Sequence, residues 1–449
     1  MASSPFGKQA VVIGAGMGGL AAAGALAEHF EQVTVLERDA LSPSPVPRAG
    51  TPQARHVHAL LVSGLRALSE LFPGFERDLE RAGAVPLRVG LDIRMERLGY
   101  DPFPQRDLGW LSYAVSRPTI EYAVRRRVES MPNTTVRQGC RVRELVTNRD
   151  GSAVTGVYYD SADGTRETLP ADLVVDASGR GALSIDLLRS AGSSVPEETT
   201  IGIDLSYATC VFEIPKDAPT DWKGVMTFGG AEQRSRGGLM LPLEGNGWMV
   251  TIAGYHGDAP PGDAAGFLAY ARDLRTQTIY NAIKAAKQVG DVARYGFPES
   301  VRRHFERLET FPQGLLPIGD ALCRFNPIYG QGMSVAAQEA CLLRRLLQDL
   351  VSNRRSISEL APTFFEGVQS LIETPWSVAT SDFMFPDTRG QRPPDFDTTL
   401  KFGIALTRLA AEDAAVHKLT AEVQNLLKPR SVYGDPALIR RVRAVMATL

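Results

Sequence analysis

The chain has 449 residues, 44% of them hydrophobic and 22% charged, with a formal net charge of -2. Its length exceeds a usual single core, so two joined domains of an ordinary globular protein are expected. The near-neutral balance removes any electrostatic case for nucleic-acid or acidic-membrane binding.

Residues 9–27, QAVVIGAGMGGLAAAGALA, carry no charge and follow Lys8, which invites a signal-peptide or membrane reading. Gly14, Gly16, Gly18 and Gly19 instead break the run into a buried strand at 9–13 and a helix over roughly 18–29. QVTVLER (32–38) is a second strand ending at Glu37, so the chain opens strand–turn–helix–strand. The Pro-, Gly- and Ser-rich stretch 39–55 is a loop, HALLVSGLRALSELF (58–72) a helix, and RPTIEYAVRRRVES (117–130) another with Pro118 near its start. TVRQGCRVRELVTN (135–148) and AVTGVYYD (153–160) read as hairpin strands, and ADLVVDASG (171–179) as a buried strand entering a turn. From about 200 to 310 strand-like runs alternate with turn residues, with a helix over 266–286. GLLPIGDA then returns to the first domain, and the tail beyond about 345 is helical with a Pro-rich break at 386–394.

Gly14-Ala15-Gly16-x-x-Gly19 follows a strand and opens a helix. The first glycine permits the tight turn, the second lets backbone approach a pyrophosphate, and the third lets helix and strand pack closely. The helix N-terminus then offers free N–H groups and partial positive charge to phosphate. Glu37 ends the next strand, placed for ribose hydroxyls, which favours FAD or NAD over NADP. Arg38 is either a surface charge or an adenine contact. Arg48 and Arg55 are either cofactor contacts or solvated charges. The fingerprint occurs once.

The stretch LLPIGDALCRFNPIYGQGMSVAAQEA (315–340) ends a strand in an acid, Asp320, then spends Pro327, Gly330 and Gly332 before an Ala-rich helix. Something bearing hydroxyls or negative charge must approach that turn. Together with the N-terminal fingerprint and SRPTIEYAVRRRV around Arg117, this stretch resembles the flavoprotein monooxygenase superfamily with the p-hydroxybenzoate hydroxylase fold. Within it the chain is most similar to squalene-epoxidase-like enzymes and bacterial polyether epoxidases, over about residues 8–345.

The resemblance implies an α/β fold: a Rossmann-like FAD-binding domain, discontinuous over 1–195 and 296–345, an inserted β-sheet substrate domain at 196–295, and a helical C-terminal region at 346–449. It implies that Asp320 binds the ribityl chain of FAD, a carboxylate suiting adjacent hydroxyls. Pro327, Gly330, Gly332 and Met333 would pass beside the flavin ring, and the following helix would point its N-terminus at it. Arg117 matches an arginine near the flavin, and Val142 a residue whose backbone meets the adenine. Without the resemblance, the plain alternatives are an N-cap for Asp320, an exposed helix start for Arg117 and any β-branched strand residue for Val142.

The implied activity is a monooxygenase that inserts one oxygen from O₂ through a flavin C4a-hydroperoxide. The expected substrate is an alkene of a lipophilic polyketide or terpenoid, which is epoxidised. Aromatic hydroxylation and isoprenoid double-bond reduction are the alternatives. A halogenase is disfavoured because no lysine occurs from 9 to 215 and no Trp-x-Trp-x-Ile-Pro run exists. The strand-end motif reads Asp176-Ala177, where many hydroxylases have Asp-Gly. NADH or NADPH is therefore expected to act either directly or through a separate flavin reductase. No catalytic side chain is named by the sequence; His58 and Arg55 are the candidates, His56 and His58 lying at a loop-to-helix junction. No CxxC or other metal spacing occurs among the four cysteines, so a reducing cytoplasm, no metal and no membrane span are expected.

Overall fold

A computed structural model describes residues 6–179, 181–230 and 235–449, and of Ala182 only the backbone. Arg180, within the strand-end motif, lies outside them.

The apolar strand Gly7–Ile13 sits at the centre of a five-stranded sheet. It pairs in parallel with Phe30–Glu37 on one side and Leu173–Asp176 on the other; Thr134–Gln138 and Leu315–Pro317 complete the edges, also in parallel. Both faces are covered, which is why these strands read as unbroken apolar runs. The helix Met17–Leu26 is all small or apolar residues and packs between this sheet and the long helix Gly332–Asn353. Leu315–Pro317 thus brings the second motif back beside the first, as its sequence suggests.

A larger, mostly antiparallel sheet carries the second motif's other flank. Its order is Cys323–Arg324, Gln288–Arg303, Glu198–Glu213, Gly247–Gly254, Gly237–Leu243, Gly224–Thr227 and Ile93–Glu96, with Arg389–Gly390 added onto Glu198–Glu213. One face packs against the short helices Ala264–Arg272 and Thr278–Ile283 through Phe212, Phe267 and Ile279. The other face, with Ile203, Leu205, Tyr207 and Phe297, joins the core of the first sheet. This second face closes over the second motif and the 56–60 loop.

Three expectations are corrected, and two unforeseen pairings are added. The stretch 135–148 is not one hairpin strand. Thr134–Gln138 pairs with Phe30–Glu37, Gly139 turns at φ +68, and Arg141–Thr147 starts a separate three-stranded antiparallel sheet. The turn is pinned because Gly139 N–H and Cys140 N–H donate to the carbonyls of Asp39 and Glu37. The helix expected from 58 begins at Val62, since Leu61 is extended and its N–H donates to Ser334 Oγ at 3.0 Å. The helix expected over 266–286 is two short ones. Finally, Ile93–Glu96 and the Pro-rich break's Arg389–Gly390 join the second sheet, pairings no local pattern announces.

Candidate functional site

At the first turn, Gly14 adopts φ +98, and a Cβ there would press on the Ala177 carbonyl at 2.8 Å. A Cβ on Gly19 would lie 1.9 Å from the Gly14 carbonyl oxygen, so only glycine lets helix and turn meet. Gly16 is different: a Cβ would meet nothing within 4 Å among the described residues, and no side chain caps the helix it opens. The turn therefore presents unoccupied N–H groups toward open space.

Glu37, 4% exposed, ends the second strand beneath this turn. It accepts from Ala15 N–H at 2.8 Å and Asp39 N–H at 2.9 Å. Arg48 lies 3.2 Å from Glu37 and bonds Asp39 at 2.8 Å, Glu121 at 2.8 Å and the Ala15 carbonyl at 3.2 Å. Burial works against the Arg48 charge, yet Glu121 and Glu37 hold its pKa above the ordinary value. Glu121 in turn accepts from Arg117 at 2.9 Å on the next helix turn, Arg117 being buried at that helix's start. Five residues from three places in the sequence, Glu37 and Asp39, Arg48, and Arg117 with Glu121, form one charge chain. A crevice of about 320 Å³ borders Arg48 and Glu121 and is lined by Ser42, Pro45, Pro118, Tyr122 and Arg125; Asp320 is not among its walls. Arg38 turns outward, its side chain 61% exposed, and Val142 is half-buried on the small sheet.

The second turn lies beside the long helix. Gly319 adopts φ +66 and its N–H donates to Glu339 at 2.6 Å; Arg303 donates to the carbonyls of Asp320 and Ala321. The Asp320 carboxylate makes no hydrogen bond or ion pair among the described residues. It is reachable by solvent yet deeply surrounded by protein, the signature of a cleft wall. Burial pushes its pKa up to about 6, against the pull of Arg324, Arg117 and Arg303. Glu339, fully buried, is pushed up to about 8 by burial and by Asp320, and its Oε1 has no partner. Gly330 (φ +66) packs against Ala59, whereas a Cβ on Gly332 would meet nothing within 4 Å. Pro327 opens a 3₁₀ turn, and Met333 is half-buried in the first turn of the long helix.

This loop is fastened by groups the sequence did not flag. Tyr329 Oη donates to Asp382 Oδ1 at 2.7 Å, and Asn326 Nδ2 to Asp382 Oδ2 at 3.0 Å; Asn326 Oδ1 accepts from Ile328 N–H. Asp382 is fully buried and touches no cation, so burial raises its pKa to about 6 against those two bonds. It comes from the C-terminal region, more than fifty residues away, and nothing around it signals a role.

Of the histidines, His56 is the integrated one. It is 1% exposed, its Nδ1 is 2.7 Å from Thr209 Oγ1, and Thr209 is 2.6 Å from Thr251 Oγ1. Its Nε2 is buried without a partner, and Tyr207 packs edge-on at 4.6 Å. Burial lowers its pKa to about 4, aided by Arg55. His58 donates from Nδ1 to the His56 carbonyl at 2.9 Å, and burial and Arg117 lower its pKa to about 3. Arg55 itself is exposed. The His-x-His spacing was the available signal; which imidazole enters the network is decided by Thr209 and Thr251 on the distant sheet.

With this geometry in hand, the chain matches the FAD binding domain family over residues 8–361. It belongs to the FAD-dependent monooxygenases. It is 36% identical to Protein Rv3254 of Mycobacterium tuberculosis, over 76% of this chain and 73% of that one. It is 23% identical to squalene monooxygenase 1,1 of Brassica napus, over 79% of this chain and 66% of that one, spanning a little under two thirds of the plant protein. Its fold is like that of p-nitrophenol 4-monooxygenase from Pseudomonas putida, with TM-score 0.65, 17% identity, and 95% and 100% of the two chains covered. A myxobacterial chondrochloren halogenase shares it too, with TM-score 0.65, 19% identity, and 99% and 97% covered.

As a member of this family the protein is an enzyme that binds FAD and uses O₂ on a small molecule. The residues suit that cofactor. Open space fronts Gly16 and Gly332, a carboxylate stands at each turn, and Gln331 Oε1 and Glu339 Oε1 are buried without partners. Among the described residues no cluster of three His, Cys, Asp or Glu could hold a metal, and no helix is long and apolar enough to cross a membrane.

Proposed function

We propose that the enzyme epoxidises an alkene in a lipophilic natural-product intermediate of the polyketide or terpenoid kind. The observation that carries this is the apolar inner face of the second sheet. There Leu239, Met226 and Met95 stay half-buried although they point away from the outer helices. The similarity to plant squalene epoxidases supports it. Many of the sheet's other large residues, Ile201, Ile203, Leu205 and Trp248 among them, are simply core.

FAD, when bound, supplies the activation of O₂ and the transfer of one oxygen. The chain's own residues hold and orient. Glu37 takes the ribose hydroxyls, the uncapped helix at Met17 faces the pyrophosphate, and Arg48 holds Glu37 aimed. Asp320 accepts from the ribityl hydroxyls beside Arg117. The long helix turns its N-terminus, at Gly332 and Met333, toward the ring and favours negative charge there. Asp382 holds the Pro327–Gly330 loop through Tyr329 and Asn326. Arg38 and Val142 remain adenine-side contacts in this reading, and His58 and Arg55 edge the site. The division into 1–195 with 296–345, 196–295 and 346–449 is also proposed, with 93–96, 296–303, 323–324 and 389–390 crossing it.

Electrons come from NADH or NADPH, directly or through a separate reductase, and the reductase is favoured. Asp176 is fully buried and spent on Ser178 and Ser184, whose N–H and O–H groups it accepts. The buried free cysteines support a cytoplasmic setting.

Aromatic hydroxylation is the second reading, and one observation favours it. The His56–Thr209–Thr251 chain ends in an unpartnered Nε2 that would take a phenol proton. Polyene and phenolic substrates offered with labelled O₂ decide between the two. One labelled oxygen in an epoxide, with slow anaerobic bleaching by NADH or NADPH alone, is expected. Labelled phenol hydroxylation with inert polyenes would establish the second reading, and oxygen-independent alkene reduction would remove both.

A further inference from the structure

One row of side chains crosses the inner face of the second sheet. Tyr295 pairs with Tyr207, Tyr207 with Ala253, and Ala253 with Gly237. Thr227 lies opposite both Gly238 and Glu96, so continuing each register by one residue places Phe228 and then Arg97 next in the row. Paired residues share a face, and four strand spacings put Arg97 about 19 Å from Tyr207. The row's middle is small: Ala253, then Gly237, where a Cβ would meet only the Thr227 carbonyl at 3.2 Å among the described residues. The neighbouring row, Thr251, Leu239, Met226 and Met95, is half-buried. The face is thus a shallow trough, with His56 and two tyrosines at one end and a cation at the other.

Among the described residues that cation has no counter-charge. Arg97 lies over the rings of Phe228 at 5.2 Å and Phe103 at 5.5 Å, and its nearest side-chain acceptor is the Met95 thioether at 3.8 Å. Its Nε is buried without a partner. The nearby acids are engaged elsewhere, Asp101 with Arg275 and Glu96 with Arg94, Thr276 and Thr278. Burial lowers its basicity, and no acid among the described residues offsets this. A guanidinium left so is costly unless an anion completes it, and its N–H fork matches a carboxylate.

We propose that Arg97 binds the carboxylate end of an elongated apolar substrate whose reacting double bond lies at the Tyr207 end of the trough. This rests on the monooxygenase reading and names the substrate class for that site. The test titrates the FAD-loaded protein with myristate, methyl myristate and benzoate, read by the flavin difference spectrum and by calorimetry. Myristate should bind at least about tenfold more tightly than its ester, and than benzoate, which cannot span the trough. Arg97→Gln should erase the acid–ester difference while keeping ester affinity and FAD content. Gly237→Val, which fills the middle of the trough, should weaken both long probes. Equal binding of acid and ester, or an acid preference that survives Arg97→Gln, overturns the proposal; if that variant does not fold, unchanged myristate binding by Gly237→Val overturns it. FAD content, measured throughout, is the separate test of the monooxygenase reading.

Discussion

At the dinucleotide end of the site, Arg48 is in contact with Glu37, Asp39 and Glu121, and Arg117 closes the chain through Glu121. At the other end Asp320, Glu339 and Asp382 touch no cation among the described residues, and burial raises the pKa of all three. The first end is balanced within the protein and keeps its shape from its own ion pairs. The second stores its polarity in groups that are neutral or poorly satisfied alone, and so are suited to a ligand's hydroxyl or N–H groups. Removing charge should therefore damage the two ends differently.

The largest effect is expected at Arg48. Arg48→Ala leaves three carboxylates facing one another in a nearly buried place, where breaking such a set costs about 3–5 kcal/mol. Urea unfolding of the FAD-free protein measures this, and a loss below about 1 kcal/mol would break the contrast. Asp320→Asn should do the reverse. Its stability without FAD should hold, because the carboxylate is reachable by solvent and makes no hydrogen bond or ion pair among the described residues. FAD retention should fall tenfold or more, one charge-assisted bond being worth about 1.5–3 kcal/mol. Equilibrium dialysis of FAD against both proteins sets the two effects side by side; full retention by the variant would remove Asp320 from the site.

The smallest effect concerns pH. Glu339 titrates near 8 when folded, above its ordinary 4.5, so its contribution to stability is complete below 4.5 and is lost as pH rises through about 8. His56 and His58 have the opposite sign. Their folded pKa values lie below 6.5, so they cost stability as pH falls from 6.5 toward 4 and 3. Unfolding of FAD-free Glu339→Gln should thus be flatter than wild type between about pH 4.5 and 8, and parallel to it below pH 4.5 and above pH 8. Identical slopes between pH 4.5 and 8 would mean that Glu339 is ionised throughout that range.

The glycine turn, Glu37, Asp320 and the strand–helix opening were legible because local chain geometry demands those residue types. A tight turn needs Gly14, close packing needs Gly19, and an acid at a strand end stands out. Asp382 and Tyr329 were not legible, since the residues that give Asp382 its environment arrive from other parts of the chain. Arg48 shows the intermediate case: it was one of several loop arginines, and only Asp39, Glu121 and Ala15 single it out from exposed Arg38 and Arg55.

By itself, then, the sequence determined the dinucleotide turn, the return of the second motif to the first sheet, and membership of a flavin-dependent family. The turn depends on contacts between near neighbours, where backbone sterics and helix dipoles act within a few residues; the return and the family were legible because the motifs resemble those of a known family. Only the tertiary structure decided that His56 rather than His58 is wired to the second sheet, that Ile93–Glu96 extends that sheet, and that Arg97 stands at the end of its inner row. Strand register across the sheet and burial of a charge are properties of the packed chain. They arise from residues far apart in sequence, and no local pattern encodes them.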